Sequence, residues 1–289
     1  MSGLWINVLV SGALMGLVYG LIALGLTIIF GVIRIVNFAH GAIVVFGLYV
    51  GYFTGLWWGL PTIAAAAIAG AIMFVGGYCL EVLVVKRFIT RPHHVQFILF
   101  IGLSLLFGGI QLVAFGPDPR PSVSNLSFET VTLGGVRMDL ARLQAATVAA
   151  VLIAALAAFL RFSAFGRFIR AAADNHLGGL IVGLPIPRIY AITFGIGSAC
   201  AGIAGALISP LFDAQPFLAV DFTLLAFVTV IVGGLGSFVG ALIGGLTIGL
   251  TEAIAALVFA PSMKTALSYG LLIVVLIVRP RGFFGAREV

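Results

Sequence analysis

The stretch YGLIALGLTIIFGVIRIVNFAHGAIVVFGLY, residues 19–49, decides the fold of this 289-residue chain. It contains one charged residue, Arg34, and the apolar runs on either side of Asn37 continue beyond it. A helix needs about 20 mainly apolar residues to cross the hydrocarbon core of a bilayer. The two runs, 6–32 and 38–57, therefore predict two membrane-spanning helices separated by a short polar interruption.

The whole chain has the same character, with 62% hydrophobic and only 8% charged residues. A soluble domain carries about 25% charged residues, so this composition excludes a soluble enzyme. We predict an all-α, polytopic transmembrane bundle of about eight to ten helices, some of them broken or re-entrant, in one domain over residues 1–289. Further spans are predicted at 62–85, 95–115, 143–160, 189–209, 222–235, 238–258 and 263–278. The segment 222–235 is short, as expected of a half-helix or re-entrant segment covered by protein.

The basic residues divide unevenly between the two sides of this topology, and eleven of the fifteen share one side. The positive-inside rule assigns that side to the cytoplasm. The N-terminus is then outside, the C-terminus inside, loop 116–142 external and loop 161–188 cytoplasmic. We expect no cleavable signal peptide, since no basic region precedes the first span. The eleven are Arg34, Lys86, Arg87, Arg91, Arg161, Arg167, Arg170, Arg188, Arg279, Arg281 and Arg287.

Motifs for chemistry are missing from the sequence. It has no Walker A P-loop, no HExxH and no GxSxG, and VGGLGS at 232–237 lacks the lysine of a phosphate-binding loop. Cys79 and Cys200 lie in apolar runs without metal-ligand spacing. The net charge of +6 does not indicate nucleic acid, because the basic residues lie at span ends. We therefore predict no catalytic residues, no metal and no cofactor bound by this chain.

Ionisable residues within spans are candidates for function because they are costly in lipid. Glu252 fits either a structural partner or a place on a substrate pathway. Glu81 has Lys86 and Arg87 nearby in sequence, which favours a paired or snorkelling side chain. His40 is explained either as a buried, neutral, hydrogen-bonded imidazole or as a functional residue.

The polar interruption itself supports two interpretations. Irregular backbone at this point could expose carbonyl or amide groups to a substrate's charged ends, at the pathway or its inner gate. Alternatively, the segment is a plain helix start capped by Asn37. The candidate pathway or gate residues are Asn37, Phe38, Ala39, His40 and Gly41.

Two sets of glycines recur every fourth residue, a spacing that lets helix backbones approach closely in lipid. We predict that they serve helix packing rather than line a substrate path. The sets are Gly12, Gly16 and Gly20, and Gly236, Gly240 and Gly244. In the external loop, the alternating stretch 128–133 predicts a short hairpin.

The loop at 161–188 differs in composition from the rest of the chain, mixing basic, small and polar residues. The segment Phe168–Leu180 is compatible with a helix, which Pro185 and Pro187 end before the next span. A short helix outside the membrane suits either an interfacial connector or a contact for a separate motor subunit.

Three blocks resemble the permeases for branched-chain amino acids of ATP-binding-cassette importers. They are residues 19–49 with NFAHG at 37–41, RAAADNHLGGLIVGLPIPRIYAITFGIGSACAGIAGAL at 170–207, and VIVGGLGSFVGALIGGL at 230–246. The chain looks like the shorter of the two permeases in such systems. The resemblance implies alternating access in a bacterial inner membrane, driven by ATP and Mg²⁺ that partner subunits use. The implied partners are a second homologous permease, two cytoplasmic ATP-binding subunits and a periplasmic substrate-binding protein.

The resemblance also implies that the cytoplasmic loop docks into the ATPase subunits through a helix near Arg170–Leu180. The EAA triplet of the commoner importers is replaced by AAAD at 171–174. The implied coupling residues are Arg170, Ala173, Asp174, Asn175, Leu180 and Gly183. Branched-chain or other hydrophobic amino acids are the expected substrates. The alternatives are urea, short amides or other amino acids in the same family, or a stand-alone channel or facilitator.

Overall fold

A computed structural model describes residues 2–121, 129–133 and 135–285 of the chain. Within this part the backbone is mainly helical, with one small antiparallel sheet. The helices are α1 (Ser2–Ile33), α2 (His40–Trp58), α3 (Thr62–Leu83), α4 (His93–Phe115), α5 (Leu140–Phe162), α6 (Ala164–Asp174), α7 (His176–Ile181), α8 (Ile186–Leu207), α9 (Leu218–Gly233), α10 (Phe238–Val258) and α11 (Lys264–Val278). The strands are β1 (Thr130–Leu133) and β2 (Val136–Asp139).

Eight of the described helical segments are long and apolar enough to cross a membrane. They are α1 to α5, α8, α10, and α11 together with the 3₁₀ turn that precedes it, which form one segment of 18 residues, Pro261–Val278. The predicted all-α polytopic bundle is therefore confirmed. Helix α9 is apolar but has only 16 residues, or about 24 Å at 1.5 Å per residue. This length is less than the ~30 Å hydrocarbon core, as expected for the short segment predicted at 222–235. The bounds of that segment in the structure are Leu218–Gly233.

Helix α1 is the centre of the bundle, packing against α5, α8, α9 and α10. Helices α4 and α11 lie at the periphery and expose large apolar side chains, among them Leu105, Val113 and Ile277. In a bilayer such a surface needs no polar cover, because lipid is as apolar as the side chains.

Glycines bring α1 and α10 into backbone contact. A Cβ added at Gly16 would lie 2.8 Å from the Gly245 carbonyl oxygen, and one at Gly12 would lie 2.8 Å from that of Gly249. The glycines of α1 thus serve close packing, but the α10 residues that face them are Gly245 and Gly249. Gly20 of α1 lies beside Leu242 of α10.

The second predicted glycine set packs elsewhere. Gly240 and Gly244 of α10 meet the α9 backbone, at Gly233 and Thr229 respectively. Gly236 lies before α10, in the turn after α9, with φ of 78°. The prediction that Gly236 shares one helix face with Gly240 and Gly244 is wrong, because Gly236 has a left-handed conformation and lies outside the helix.

The expected hairpin in loop 116–142 is present in its described part. Strand β1 pairs with β2 from Thr130 opposite Asp139 to Leu133 opposite Val136. Phe128, the first residue of the predicted stretch, lies outside the described residues. Asp139 then caps α5 by accepting from the Ala141 N–H at 3.0 Å, so the hairpin leads directly into the next span.

Candidate functional site

The connection between α1 and α2 runs inside the bundle. Helix α1 ends at Ile33, and Arg34 follows in a left-handed conformation with φ of 59°. At the start of α2, His40 Nε2 lies 2.9 Å from the carbonyl oxygen of Ile22. Because Ile22 is about three turns before the end of α1, the segment 34–39 folds back along that helix.

Asn37 shapes this break and is completely buried. Its Oδ1 accepts a hydrogen bond from the Ala39 N–H at 3.0 Å, which forms a turn just before α2. The N-cap position belongs to Ala39, so Asn37 initiates the helix start without occupying the cap expected for it. Within the described residues its Nδ2 has no hydrogen-bond partner, although buried amides normally have one.

Helix α9 contacts the break through Thr223. The Gly41 N–H donates to Thr223 Oγ1 at 3.1 Å, and that hydroxyl lies 2.7 Å from the Ala219 carbonyl oxygen, to which it donates. A Cβ at Gly41 would lie 2.1 Å from the same carbonyl, so only glycine fits there. Sequence reasoning missed Thr223, since a threonine in an apolar helix carries no distinguishing signal.

The Phe38 ring lies between two other aromatic rings. Its centroid is 4.9 Å from that of Phe97 on α4 and 4.8 Å from that of Phe227 on α9. Such ring pairs contribute about 0.5–1.5 kcal/mol beyond their burial. The segment 37–41 thus packs between α1, α4 and α9. The polar interruption in the sequence did not by itself indicate these neighbours.

Glu81 does not behave as its basic neighbours in sequence suggested. Its side chain is 0% exposed, and neither carboxylate oxygen has a hydrogen-bond partner within the described residues. The prediction of a snorkelling or paired Glu81 is wrong, since Lys86 and Arg87 are both exposed and form no ion pair with it in the described part.

Loop 161–188 is mostly helical, but the single helix expected over Phe168–Leu180 is wrong. Helix α6 ends at Asp174, and α7 begins at His176. Asn175 between them is extended, with φ of −146°, and its Oδ1 accepts from the Gly178 N–H at 2.8 Å. Asparagine favours such an N-cap because its side chain replaces a missing backbone acceptor, and this capping breaks the helix in two.

Helix α7 forms an exposed apolar tip. The side chains of Leu177, Leu180, Ile181 and Val182, which we call the α7 tip, all point outward, and Ile181 is 85% exposed. Gly183 follows with φ of 79°, as the chain reverses toward α8. A group of exposed apolar residues outside the spanning helices is typical of a surface that contacts another protein or the membrane.

Helix α6 connects the α7 tip to the bundle. Its Ile169 and Ala172 are buried in a cluster with Ile33 at the end of α1 and Ile186 at the start of α8. Arg170 and Asp174 lie on the exposed side. Ala173 and Arg170 line a cavity of about 420 Å³ between α6, α1 and α5.

Glu252 lies at the opposite end of the bundle. Helices α1 and α5 run parallel: Ser11 contacts Arg142 near their starts, while Ile28 and Ala157 line one cavity near their ends, beside α6. Glu252 Oε2 accepts from the Tyr19 hydroxyl at 2.9 Å. It therefore has a structural partner, and it joins neither the break nor the α7 tip.

Comparisons with known proteins identify relatives of this chain. The family described as "Branched-chain amino acid transport system / permease component" matches residues 8–276. The chain is 30% identical to the high-affinity branched-chain amino acid transport system permease protein LivH of Escherichia coli (strain K12), covering 96% of this chain and 95% of that one. It is also 30% identical to BraD of Pseudomonas aeruginosa, which carries the same description, with coverage of 99% and 97%. A solved structure titled "PsaBC from Streptococcus pneumoniae in complex with Fab" has the same fold, with a TM-score of 0.50, 11% identity and coverage of 95% and 91%.

Proposed function

The chain belongs to the family of branched-chain amino acid transport permeases, and from that membership we propose that it is the membrane-spanning permease subunit of an importer for branched-chain and similar hydrophobic amino acids. The observation that supports this proposal most strongly is the match to LivH and BraD over almost their full length, since both are described as branched-chain amino acid transport permeases. Members of the family are components of ATP-binding-cassette systems and work with partner subunits.

The partners in this proposal are a second, homologous permease, two ATP-binding subunits and a substrate-binding protein. ATP is bound together with Mg²⁺ and is hydrolysed by the ATP-binding subunits, and this chain converts that reaction into movement. The α7 tip supports the coupling role, because its apolar side chains are exposed away from the spanning helices. Docking there would bury them.

In the proposed topology the α7 tip is cytoplasmic, and the Tyr19–Glu252 pair lies toward the outside. The residues that set this direction include Arg161, Arg167, Arg170 and Arg188, all exposed around α6 and α7. The positive-inside rule is the physical reason. Movement of the α7 tip would reach the α1–α2 break through α6, which packs on the end of α1.

Two experiments test this function. Affinity purification of the tagged chain should retain an ATP-binding subunit, and the reconstituted complex should take up leucine into proteoliposomes only with ATP. A chain that retains no ATPase and conducts solute alone would be a facilitator instead. Calorimetry of the cognate binding protein against leucine, isoleucine, valine, urea and acetamide should give heats for the amino acids, and binding of urea alone would contradict the proposed substrate.

A further inference from the structure

A polar cavity lies at the α1 N-terminal end of the bundle, among α1, α5, α10 and the start of α11. Its volume is about 350 Å³, within the usual range of about 300–1,000 Å³ for small-molecule sites. It contains one carboxylate, from Glu252, and two cations, from Arg142 and Lys264. Most of the chain lacks charged groups, so three in one cavity are a distinct feature of this end.

The charged groups retain unused hydrogen-bonding capacity. Glu252 Oε2 accepts from Tyr19, while Oε1 has no hydrogen bond to the described residues. Arg142 Nη1 donates to Ser11 Oγ, and Arg142 Nε forms a long ion pair with Asp139 Oδ2 at 3.8 Å but has no hydrogen-bond partner in the described part. The exposed Lys264 forms no hydrogen bond or ion pair within the same residues.

The remaining wall of the cavity is apolar. It is formed by Val8, Met15, Leu211, Phe212, Ala253 and Ala256. A ligand that fits this lining carries a positive group, a negative group and an apolar side chain. A neutral amide or urea would leave the charges of Glu252 and Lys264 without an ion pair and the apolar wall uncovered, and unpaired charges in a partly buried site are costly.

We propose that this cavity receives the zwitterionic backbone of a hydrophobic amino acid, with the ammonium group on Glu252 and the carboxylate on Arg142 and Lys264. The apolar wall takes the side chain. Charge-assisted hydrogen bonds of this kind are roughly twice as strong as neutral ones. The inference rests on the proposed function, to which it adds a place and a charge pattern for the substrate.

Direct binding of leucine to the purified full-length chain in lipid nanodiscs tests the site. Saturation-transfer NMR should detect leucine, but neither leucinamide, which lacks the carboxylate, nor 4-methylpentanoate, which lacks the ammonium group. Glu252→Gln and Lys264→Met should each weaken leucine binding about tenfold, the expected effect of losing one charged hydrogen bond. Lys264 is exposed, so its replacement leaves the packing intact.

Lys86→Met is the matched control, since Lys86 is an exposed lysine at the other end of the bundle. It should bind leucine like the unmodified chain. Equal leucine binding by Glu252→Gln, Lys264→Met and Lys86→Met would overturn the inference, as would binding of leucinamide and 4-methylpentanoate as strong as that of leucine.

Uptake by cells carrying the whole system separates this inference from the proposed function. If the unmodified system imports leucine and both cavity variants do so equally, the cavity is not a substrate site, while the function stands. If the unmodified system imports no branched-chain amino acid, the proposed function itself fails. Lower uptake by Lys264→Met than by Lys86→Met, at equal membrane levels, supports the cavity.

Discussion

The backbone N–H of Gly41 donates to Thr223 Oγ1 at 3.1 Å, joining the first turn of α2 to the second turn of α9 across 182 positions of the chain. Gly41 follows a break that folds back into the bundle, and α9 is too short for a full crossing. An irregular segment and a short helix therefore meet inside the protein, where non-helical backbone at membrane depth is tolerated.

Thr223→Val should destabilise this junction. The isosteric change removes the acceptor for the buried Gly41 N–H, and leaving such a group unsatisfied costs about 1–3 kcal/mol. We expect a lower melting temperature of the purified chain and reduced leucine uptake. Thr251→Val is the control, because the Thr251 hydroxyl bonds only the Thr247 carbonyl of its own helix. Equal melting temperatures for the two variants would show that the junction contributes little.

Gly249→Ala should separate α1 from α10. The new Cβ would lie 2.4 Å from the Gly12 carbonyl oxygen, and overpacking costs about 1–3 kcal/mol. Gly102→Ala in α4 is the matched control, since nothing lies within 4 Å of a Cβ added at this position. Both substitutions gain up to about 1 kcal/mol of helix propensity. Thermal unfolding in detergent should show a lower melting temperature for Gly249→Ala and no decrease for Gly102→Ala. The same response at both positions would contradict the close packing.

Ile181→Glu should uncouple the transporter without unfolding it. Ile181 is exposed at the α7 tip, so the charge costs little in the isolated chain but would be buried at an ATPase contact. The expected result is loss of substrate-stimulated ATP hydrolysis by the reconstituted complex, with an unchanged melting temperature. Ile181→Val should retain activity. Full stimulation in Ile181→Glu would exclude the α7 tip as the coupling contact.

Asn175→Ala should weaken α7 by removing its N-cap, at a cost of about 0.5–2 kcal/mol. We expect slower coupled ATP hydrolysis, because the α7 tip loses its fixed orientation, and faster amide hydrogen exchange confined to 176–183. Asn175→Ser should restore both, since serine caps as well as asparagine. If Ala and Ser variants behave alike, the side-chain cap does not hold the tip.

Asn37→Ala should impair transport. It removes the acceptor for the Ala39 N–H inside the bundle, where a lost hydrogen bond costs about 1 kcal/mol or more. The matched change is Asn7→Ala, whose Oδ1 accepts from the Arg137 N–H at an exposed position; it should have little effect. Normal membrane levels with full leucine uptake in Asn37→Ala would rule out a role of the break in the pathway or gate.

Much of this fold follows from the sequence because hydrophobicity alone determines which segments lie in lipid. The long apolar runs predicted the spans, and the short one predicted α9. Register and depth depend on tertiary contacts instead. Nothing local shows that Gly16 faces Gly245 rather than Gly240, or that His40 lies beside Ile22. The break between α6 and α7 at Asn175 is predictable from the sequence, because asparagine before His-Leu-Gly-Gly is a favourable N-cap.

The candidate site was less predictable than the fold. Single residues such as Asn37 and Glu252 stood out because polar groups are rare in these spans. Their partners did not, since Tyr19 and Thr223 are unremarkable in sequence. Arg142 and Lys264 are not among the eleven basic residues that charge counting places on the cytoplasmic side, but their convergence with Glu252 depends on how α5, α10 and α11 surround α1.

The length of α1 has a mechanical consequence. Its 32 residues extend about 48 Å, well beyond the ~30 Å hydrocarbon core. Its first turns expose Leu4, Trp5 and Ile6, and aromatic rings prefer the headgroup level. The helix must tilt or thicken the bilayer around it to keep these residues out of water, at a cost of fractions of a kcal/mol per ångström. Since α1 contacts the break, the polar cavity and α6, changing the acyl-chain length of the lipid should alter all three at once.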